Sequence, residues 1–283
     1  MNPSKLSYGH ERFLIMNSLA YSPRQLIVLE KTKEKNRKQA TADLVINELE
    51  YMEFPFHRTA IYYLSRVANP DYVMIYTYGG TIPHMFYKSA SGEILEECKL
   101  QFTWDWMGKW LANNIAVAIL DVPSYFRVNS SLPSSYRITD DRMRECLQAI
   151  KCTAEKFPES KIVWNGMSYG SIEASKISLA STQVEKVILT SAPFHRLDGW
   201  DDYHQGQRLD WYDVSQATVP VLIVQHKTEK HEKAELEMSK TDSITVSNSS
   251  TPSDGHYFKR RQIRVVDAVC NWIRDQDFPR EIL

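Results

Sequence analysis

Glycine is scarce in this chain, at 10 of 283 residues. That excludes a glycine-periodic fibre and a low-complexity linker protein. It also makes any motif framed by two glycines informative. Cysteine is scarcer still, with four, Cys98, Cys146, Cys152 and Cys270. They form no CxxC pair and no metal-like spacing, which argues against a disulfide scaffold and a structural metal site. Reduced thiols and a cytoplasmic protein are the expectation. Long apolar runs are missing too. The N-terminal stretch Phe13 to Met16 is too short for the core of a secretory signal. Nothing approaches the roughly 20 apolar residues of a membrane-spanning helix. Neither sign of charge dominates: 34 basic residues face 35 acidic ones, for a net −1. No overall field therefore favours nucleic acid or an anionic membrane. The one basic run, Lys31 to Lys38, reads as a solvated face. What remains is ordinary globular composition, 43% hydrophobic, ample for one sizeable core.

Residues 1–45 form an N-terminal segment with little pattern. Gln25 to Leu29 could be a short strand, and residues 38–50 could be a helix. From residue 46 to 283 the chain reads as a single α/β domain. Leu49 to Phe56 and Thr59 to Leu64 look like two β segments around a turn near Pro55. Apolar runs at 72–77, 115–120, 161–164, 184–190, 219–225 and 243–246 read as strands. Helical stretches lie between several of them, with Trp104, Trp106 and Trp110 on one and Thr139 capping another. A closing helix spans 260–273, with Ile263 among its apolar positions. Continuous apolar strands alternating with helices predict a mostly parallel sheet covered on both faces. Residues 194–217, rich in aromatics and acids, read as a short cap leaving the sheet.

The glycine-framed motif is Gly166-Met167-Ser168-Tyr169-Gly170. It follows an apolar strand and opens a helix. In that context a serine is forced onto a sharp turn near positive φ, with its hydroxyl exposed. The glycines let the strand and helix pack closely behind it. The helix N-terminus aims amides and a positive dipole where an oxyanion would form. A serine hydroxyl needs a base, and the base an orienting acid. His256, in the polar loop Ser253-Asp254-Gly255-His256 between the last strand and last helix, is the expected base among eight histidines. His226 ends a strand and is expected to bond locally. His84, His195 and His204 are weaker rivals. Glu229, just after the strand 219–225, is the expected acid, with Glu232 and Asp198 as alternatives. One oxyanion donor should be the Tyr169 amide. The second should come from Gly79-Gly80-Thr81, with Gly80 preferred.

The ordered set Tyr78-Gly79-Gly80, Gly166-Met167-Ser168-Tyr169-Gly170, Glu229 and Gly255-His256 resembles the α/β-hydrolase superfamily over about residues 50–283. Asp121-Val122-Pro123-Ser124 and Tyr136-Arg137 are similar to segments of a bacterial, poorly characterised serine-hydrolase subgroup. The resemblance implies the α/β-hydrolase fold and an acyl-transfer site. Its substrate would be a small-molecule ester, thioester or amide, with no cofactor and no metal. A lyase, cyclase or acyltransferase on the same fold, or a non-catalytic binding protein, are the alternatives. Glutamate as the acid, and Tyr-Gly where the superfamily usually has His-Gly, are its departures.

Overall fold

A computed structural model describes residues 23–79, 86–96, 104–123, 136–137, 139–192, 214–229, 232–247, 258 and 261–283. Helix α1 spans Pro23–Ala40. A hairpin follows, β1 (Ile46–Phe54) and β2 (His57–Ser65), with Phe54 opposite His57 across the Pro55-Phe56 turn. Then come β3 (Tyr72–Thr77), a small hairpin of β4 (Phe86–Lys88) and β5 (Ile94–Glu96), α2 (Trp104–Ala112) and β6 (Ile115–Pro123). Helix α3 (Asp140–Lys156), β7 (Lys161–Met167), α4 (Gly170–Ala180) and β8 (Lys186–Thr190) complete the middle of the chain. The last elements are β9 (Val221–His226), α5 (Glu232–Met238), β10 (Asp242–Val246), α6 (Gln262–Ile273) and β11 (Glu281–Ile282).

Nine strands form one sheet in the order β1-β2-β6-β3-β7-β8-β9-β10-β11. β2 runs antiparallel to both its neighbours, and the strands from β6 to β11 are parallel. Alternation sorts each central strand between two cores. In β3, Met74 and Tyr76 face one core while Val73 and Ile75 face the other; in β6, Val117 and Ile119 oppose Ala116 and Ala118. The first core takes its cover from α1, α2 and α6 through Ala40, Trp104, Trp106, Trp110, Val265 and Val269. The second is covered by α3 and α4 through Cys146, Ala149, Ile150, Ala174 and Ile177. Both faces are buried, so the strands carry unbroken apolar runs.

Two N-terminal expectations are overturned. Gln25 to Leu29 is not a strand but part of α1. A four-residue apolar run, Leu26 to Leu29, cannot be told from a helix turn by itself. Here Pro23 starts the helix and straight-chain Leu, Glu, Lys, Arg and Gln carry it on. Nor do residues 38–50 form a helix. Thr41 Oγ1 donates to the Arg37 carbonyl, Asp43 adopts φ 57°, and β1 begins at Ile46. Ile263, among the apolar positions of the expected closing helix, is 64% exposed, because it lies in the first turn of α6, before the buried residues that begin at Val265.

Lys186, at the start of β8, is 5% exposed. Its ammonium donates to the carbonyls of Trp272 (2.9 Å) and Ile273 (3.0 Å) and pairs with Asp275 (2.5 Å). It caps the C-terminus of α6, where carbonyls lack helical partners and the dipole favours a cation. Lys186→Met should therefore destabilise by about 1–3 kcal/mol, since it orphans the Ile273 carbonyl and leaves the Trp272 carbonyl with the Asp275 amide alone. Urea unfolding would measure it; an unchanged midpoint would mean water replaces the ammonium at no cost.

Candidate active site

The walk along the sheet reverses at β3. The chain passes from β3 to β6 on one side, then crosses to β7 on the other. A crevice opens at the carboxyl ends of strands where the order reverses, and such crevices hold ligands in open α/β sheets. Ser168 stands there, between the end of β7 and the start of α4.

Ser168 has φ 53°. That is left-handed backbone for a residue with a side chain, a strained state that persists only where the surroundings over-determine it. The surroundings do. The Ser168 amide donates to the Thr190 carbonyl on β8 at 2.8 Å, and the Ser168 carbonyl accepts from the Ser171 amide at 2.9 Å. Ser171 Oγ donates to the Gly166 carbonyl at 2.8 Å. Thr77 Oγ1 donates to the Gly170 carbonyl and receives the Trp164 indole N–H at 3.1 Å. Met167 and Tyr169 on either side are buried, whereas Ser168 is only partly so.

The glycines of the motif have steric causes. A Cβ on Gly166 would lie 2.3 Å from the Gly170 carbonyl oxygen and 2.7 Å from Ala174 Cβ; one on Gly170 would lie 2.2 Å from the Thr77 carbonyl oxygen. Strand, turn and helix are in backbone contact. Gly79, in the loop after β3, closes the turn from the other side: its Cβ would fall 2.4 Å from Ser168 Cβ and 2.6 Å from the Tyr169 nitrogen. The Tyr169 amide stands at the N-terminus of α4, and the Gly79 loop abuts it.

Of the other expected site residues, Glu229 is described and Gly80 and His256 lie outside the described residues. Glu229 ends a 3-10 turn, Lys227–Glu229, directly after β9. Its Oε2 is buried, and its carbonyl accepts from Gln225 Nε2 at 3.5 Å. β9 is two strands from β7, with β8 between them. Glu232 opens α5; Asp198, with the 194–213 part of the expected cap, lies outside the described residues. Val214–Gln216, at the cap's far end, is a 3-10 turn with Val214 buried. Phe258, two residues beyond His256, is buried with its ring 6.1 Å from that of Trp106. His226 is fully buried and bonds locally, its Nδ1 2.7 Å from Thr228 Oγ1. No cluster of three or more metal-ligating side chains occurs among the described residues.

Sequence reasoning missed a buried ionic cluster behind the turn. Arg142 of α3 and Arg137 each reach Glu173 of α4, at 2.6 and 3.0 Å. Arg142 also pairs with Glu145 at 2.6 Å, and Glu145 receives Tyr136 Oη at 2.6 Å and His57 Nε2 at 2.7 Å. Asp121 accepts the Phe86 amide at 2.8 Å, tying β4 to the end of β6. The signal available was Arg142 and Glu145 at i, i+3, with a lone Glu173 amid small residues in α4.

No family model matches the chain, and no curated protein is similar to it in sequence. Solved structures are similar to it in fold. An acylaminoacyl peptidase of Pyrococcus horikoshii superposes with a TM-score of 0.56 at 10% identity, over 81% of this chain and 41% of its own. An esterase of Pyrococcus furiosus does so with a TM-score of 0.55 at 11% identity, over 78% of this chain and 90% of its own. This chain has the α/β-hydrolase fold. A Xanthomonas campestris α/β serine hydrolase without lid shares that fold, with a TM-score of 0.53 at 13% identity over 82% of this chain and 95% of its own. This chain thus spans less than half of the peptidase and nearly all of the other two. Within the α/β-hydrolase fold, the left-handed serine after β7 stands at the sheet's switch point. No helix among the described residues is long and apolar enough to cross a membrane.

Proposed function

We propose that this protein is a serine hydrolase that cleaves an ester, thioester or amide of a small molecule through an acyl-enzyme on Ser168. The observation that carries the reading is Ser168 at φ 53° on a turn that Gly79, Gly166 and Gly170 leave no room to relax. Ser191 has a similar φ of 48° but is buried after β8, whereas Ser168 is partly exposed on a strand-to-helix turn. Structures bearing the names peptidase, esterase and serine hydrolase share the fold, which supports the reaction class.

In this reading Ser168 Oγ attacks the acyl carbon while His256 takes its proton. Glu229 holds the imidazole in the productive tautomer and stabilises the imidazolium. The amides of Tyr169 and Gly80 bind the oxyanion. The tetrahedral intermediate collapses, and the departing alcohol, thiol or amine takes the proton from His256. Water, deprotonated by His256, then attacks the acyl-enzyme, and Ser168 leaves with that proton as the carboxylic acid is released. No cofactor or metal enters this scheme. The protein is read as cytoplasmic; free Cys146, Cys152 and Cys270 support a reducing compartment.

A fluorophosphonate probe tests the nucleophile. Wild type should be labelled at Ser168, and a panel of p-nitrophenyl esters, thioesters and aminoacyl anilides should then reveal the leaving-group class. Absence of labelling would sink the acyl-enzyme. The acid is tested separately: Glu229→Gln should slow turnover by about tenfold or more, with Glu232→Gln and Asp198→Asn near wild type. The reverse pattern would move the role to Glu232 or Asp198.

A further inference from the structure

Glu173 lies in the first turn of α4, five residues after Ser168, and is wholly buried. Its Oε1 receives Arg142 Nε at 2.6 Å, and its Oε2 lies 3.0 Å from Arg137 Nη1. Arg142 Nη1 donates onward to the Asp121 carbonyl at 3.0 Å and to Glu145 Oε2 at 2.6 Å. One guanidinium thus joins α4, α3 and the end of β6. Tyr136 and Arg137, adjacent in sequence, are each held, by Glu145 and Glu173. Burial alone would pull both arginines below their ordinary pKa. For Arg142 the carboxylates of Glu173 and Glu145 outweigh burial and raise it, whereas for Arg137 burial prevails.

Burying two arginines and two glutamates is costly, and well-packed apolar residues often serve stability better. Their location is therefore informative. The helix α4 is buried nearly all round, and six of its eleven residues are small: Gly170, Ser171, Ala174, Ser175, Ser178 and Ala180. Such a surface offers few apolar knobs to fix how the helix is rotated or how far it slides. Directional, charge-assisted hydrogen bonds supply what packing lacks. A second effect is electrostatic. A lone carboxylate in the first turn would set a negative charge behind amides that must face an oxyanion. The two arginines offset it.

We propose that Glu173, Arg142 and Arg137 are positioning residues of the nucleophile turn, fixing the start of α4, and with it Ser168 and the Tyr169 amide, against β6 and α3. The proposal rests on the serine-hydrolase reading. Arg142 and Arg137 act through Glu173, and Glu173 through the helix it belongs to. Among the described residues, the other titratable groups around the cluster are His57 of β2, Asp121 of β6, Glu145 and Cys146 of α3, Tyr136, and Lys176 of α4.

The test compares full-length wild type with Arg137→Met, Arg137→Lys, Glu173→Gln and Tyr136→Phe. Fluorophosphonate labelling rate, steady-state constants against pH, and amide hydrogen exchange of the peptide 166–172 are read on each folded variant. Arg137→Met and Glu173→Gln should label on the order of 10²-fold more slowly, the scale of an ångström's misplacement. The loss should fall on kcat more than on KM, with faster exchange over 166–172. Arg137→Lys should recover much of the rate. The acid limb of kcat/KM should move up in pH in Arg137→Met, where the cluster is left net negative, and down in Glu173→Gln, where it is left net positive. If Glu173→Gln does not fold, Arg137→Met and Arg137→Lys decide. Folded variants with wild-type labelling and wild-type exchange would overturn the proposal. An unlabelled wild type would overturn the hydrolase reading instead; exchange at 166–172 would still judge the clamp, failing it if unchanged and supporting it if accelerated.

Discussion

Ser168→Ala should lower turnover by on the order of 10⁴-fold or more, with thermal unfolding close to wild type. The two halves of this expectation come from different features. Chemistry is lost because no other hydroxyl occupies the left-handed position at the turn, where the Tyr169 amide begins α4. Stability is kept because the backbone contacts that hold the turn, Ser168 N–H to Thr190 and Ser171 N–H to Ser168, do not use the side chain. Alanine at φ 53° bears much the same strain as serine, so the backbone term cancels. Single-turnover kinetics with an activated ester, alongside calorimetry, would check both halves. An alanine variant that kept most of its activity would remove Ser168 from the mechanism. One that unfolded early would show that the hydroxyl packs, contrary to its partial exposure.

The sheet was legible because β3, β6, β7, β8 and β9 are buried on both faces and so carry unbroken apolar runs. Their helices were legible where one face was apolar, as in α3 with its Thr139 cap. The pattern failed at elements too short to show a period: the three-residue strands β4 and β5 and the two-residue β11. It failed at α1 because Leu26 to Leu29 is an apolar run whose neighbours, not itself, decide its state. The turn at Ser168, between Gly166 and Gly170, was legible because close backbone packing leaves a compositional mark. The Arg137, Arg142, Glu145 and Glu173 cluster was not. Charged residues on an amphipathic helix ordinarily face solvent, and only the fold reveals that this stretch of α3 lies under α4. Glu229 was expected by its place after a strand, and it stands there, ending a 3-10 turn beyond β9.

Gly79→Ala should cost activity out of proportion to stability. The constraint at Gly79 is space and not dihedral angle, since Gly92 is the positive-φ glycine of the described residues. A methyl at residue 79 would meet Ser168 Cβ at 2.4 Å, the Met167 carbonyl oxygen at 2.6 Å and the Tyr169 nitrogen at 2.6 Å. None of these is the far end of a flexible side chain, so one body must move. The turn is tied to β8, to β3 and to its own helix. The loop after β3 is the side that should yield. Gly80, whose amide is proposed as the second oxyanion donor, is the next residue in the chain, so a shift of Gly79 bears directly on it. Loss of one such donor costs roughly 10²–10³ in turnover, whereas overpacking of this kind costs about 1–3 kcal/mol of stability. Gly92→Ala is the matched control. There φ is 84° and a Cβ would meet nothing within 4 Å, so strain alone acts. That variant should lose about 1 kcal/mol of stability and no turnover. A folded Gly79→Ala protein with normal acylation would mean that the loop after β3 does not set the second oxyanion donor. A loss of turnover in Gly92→Ala equal to that in Gly79→Ala would trace both losses to instability and not to the turn.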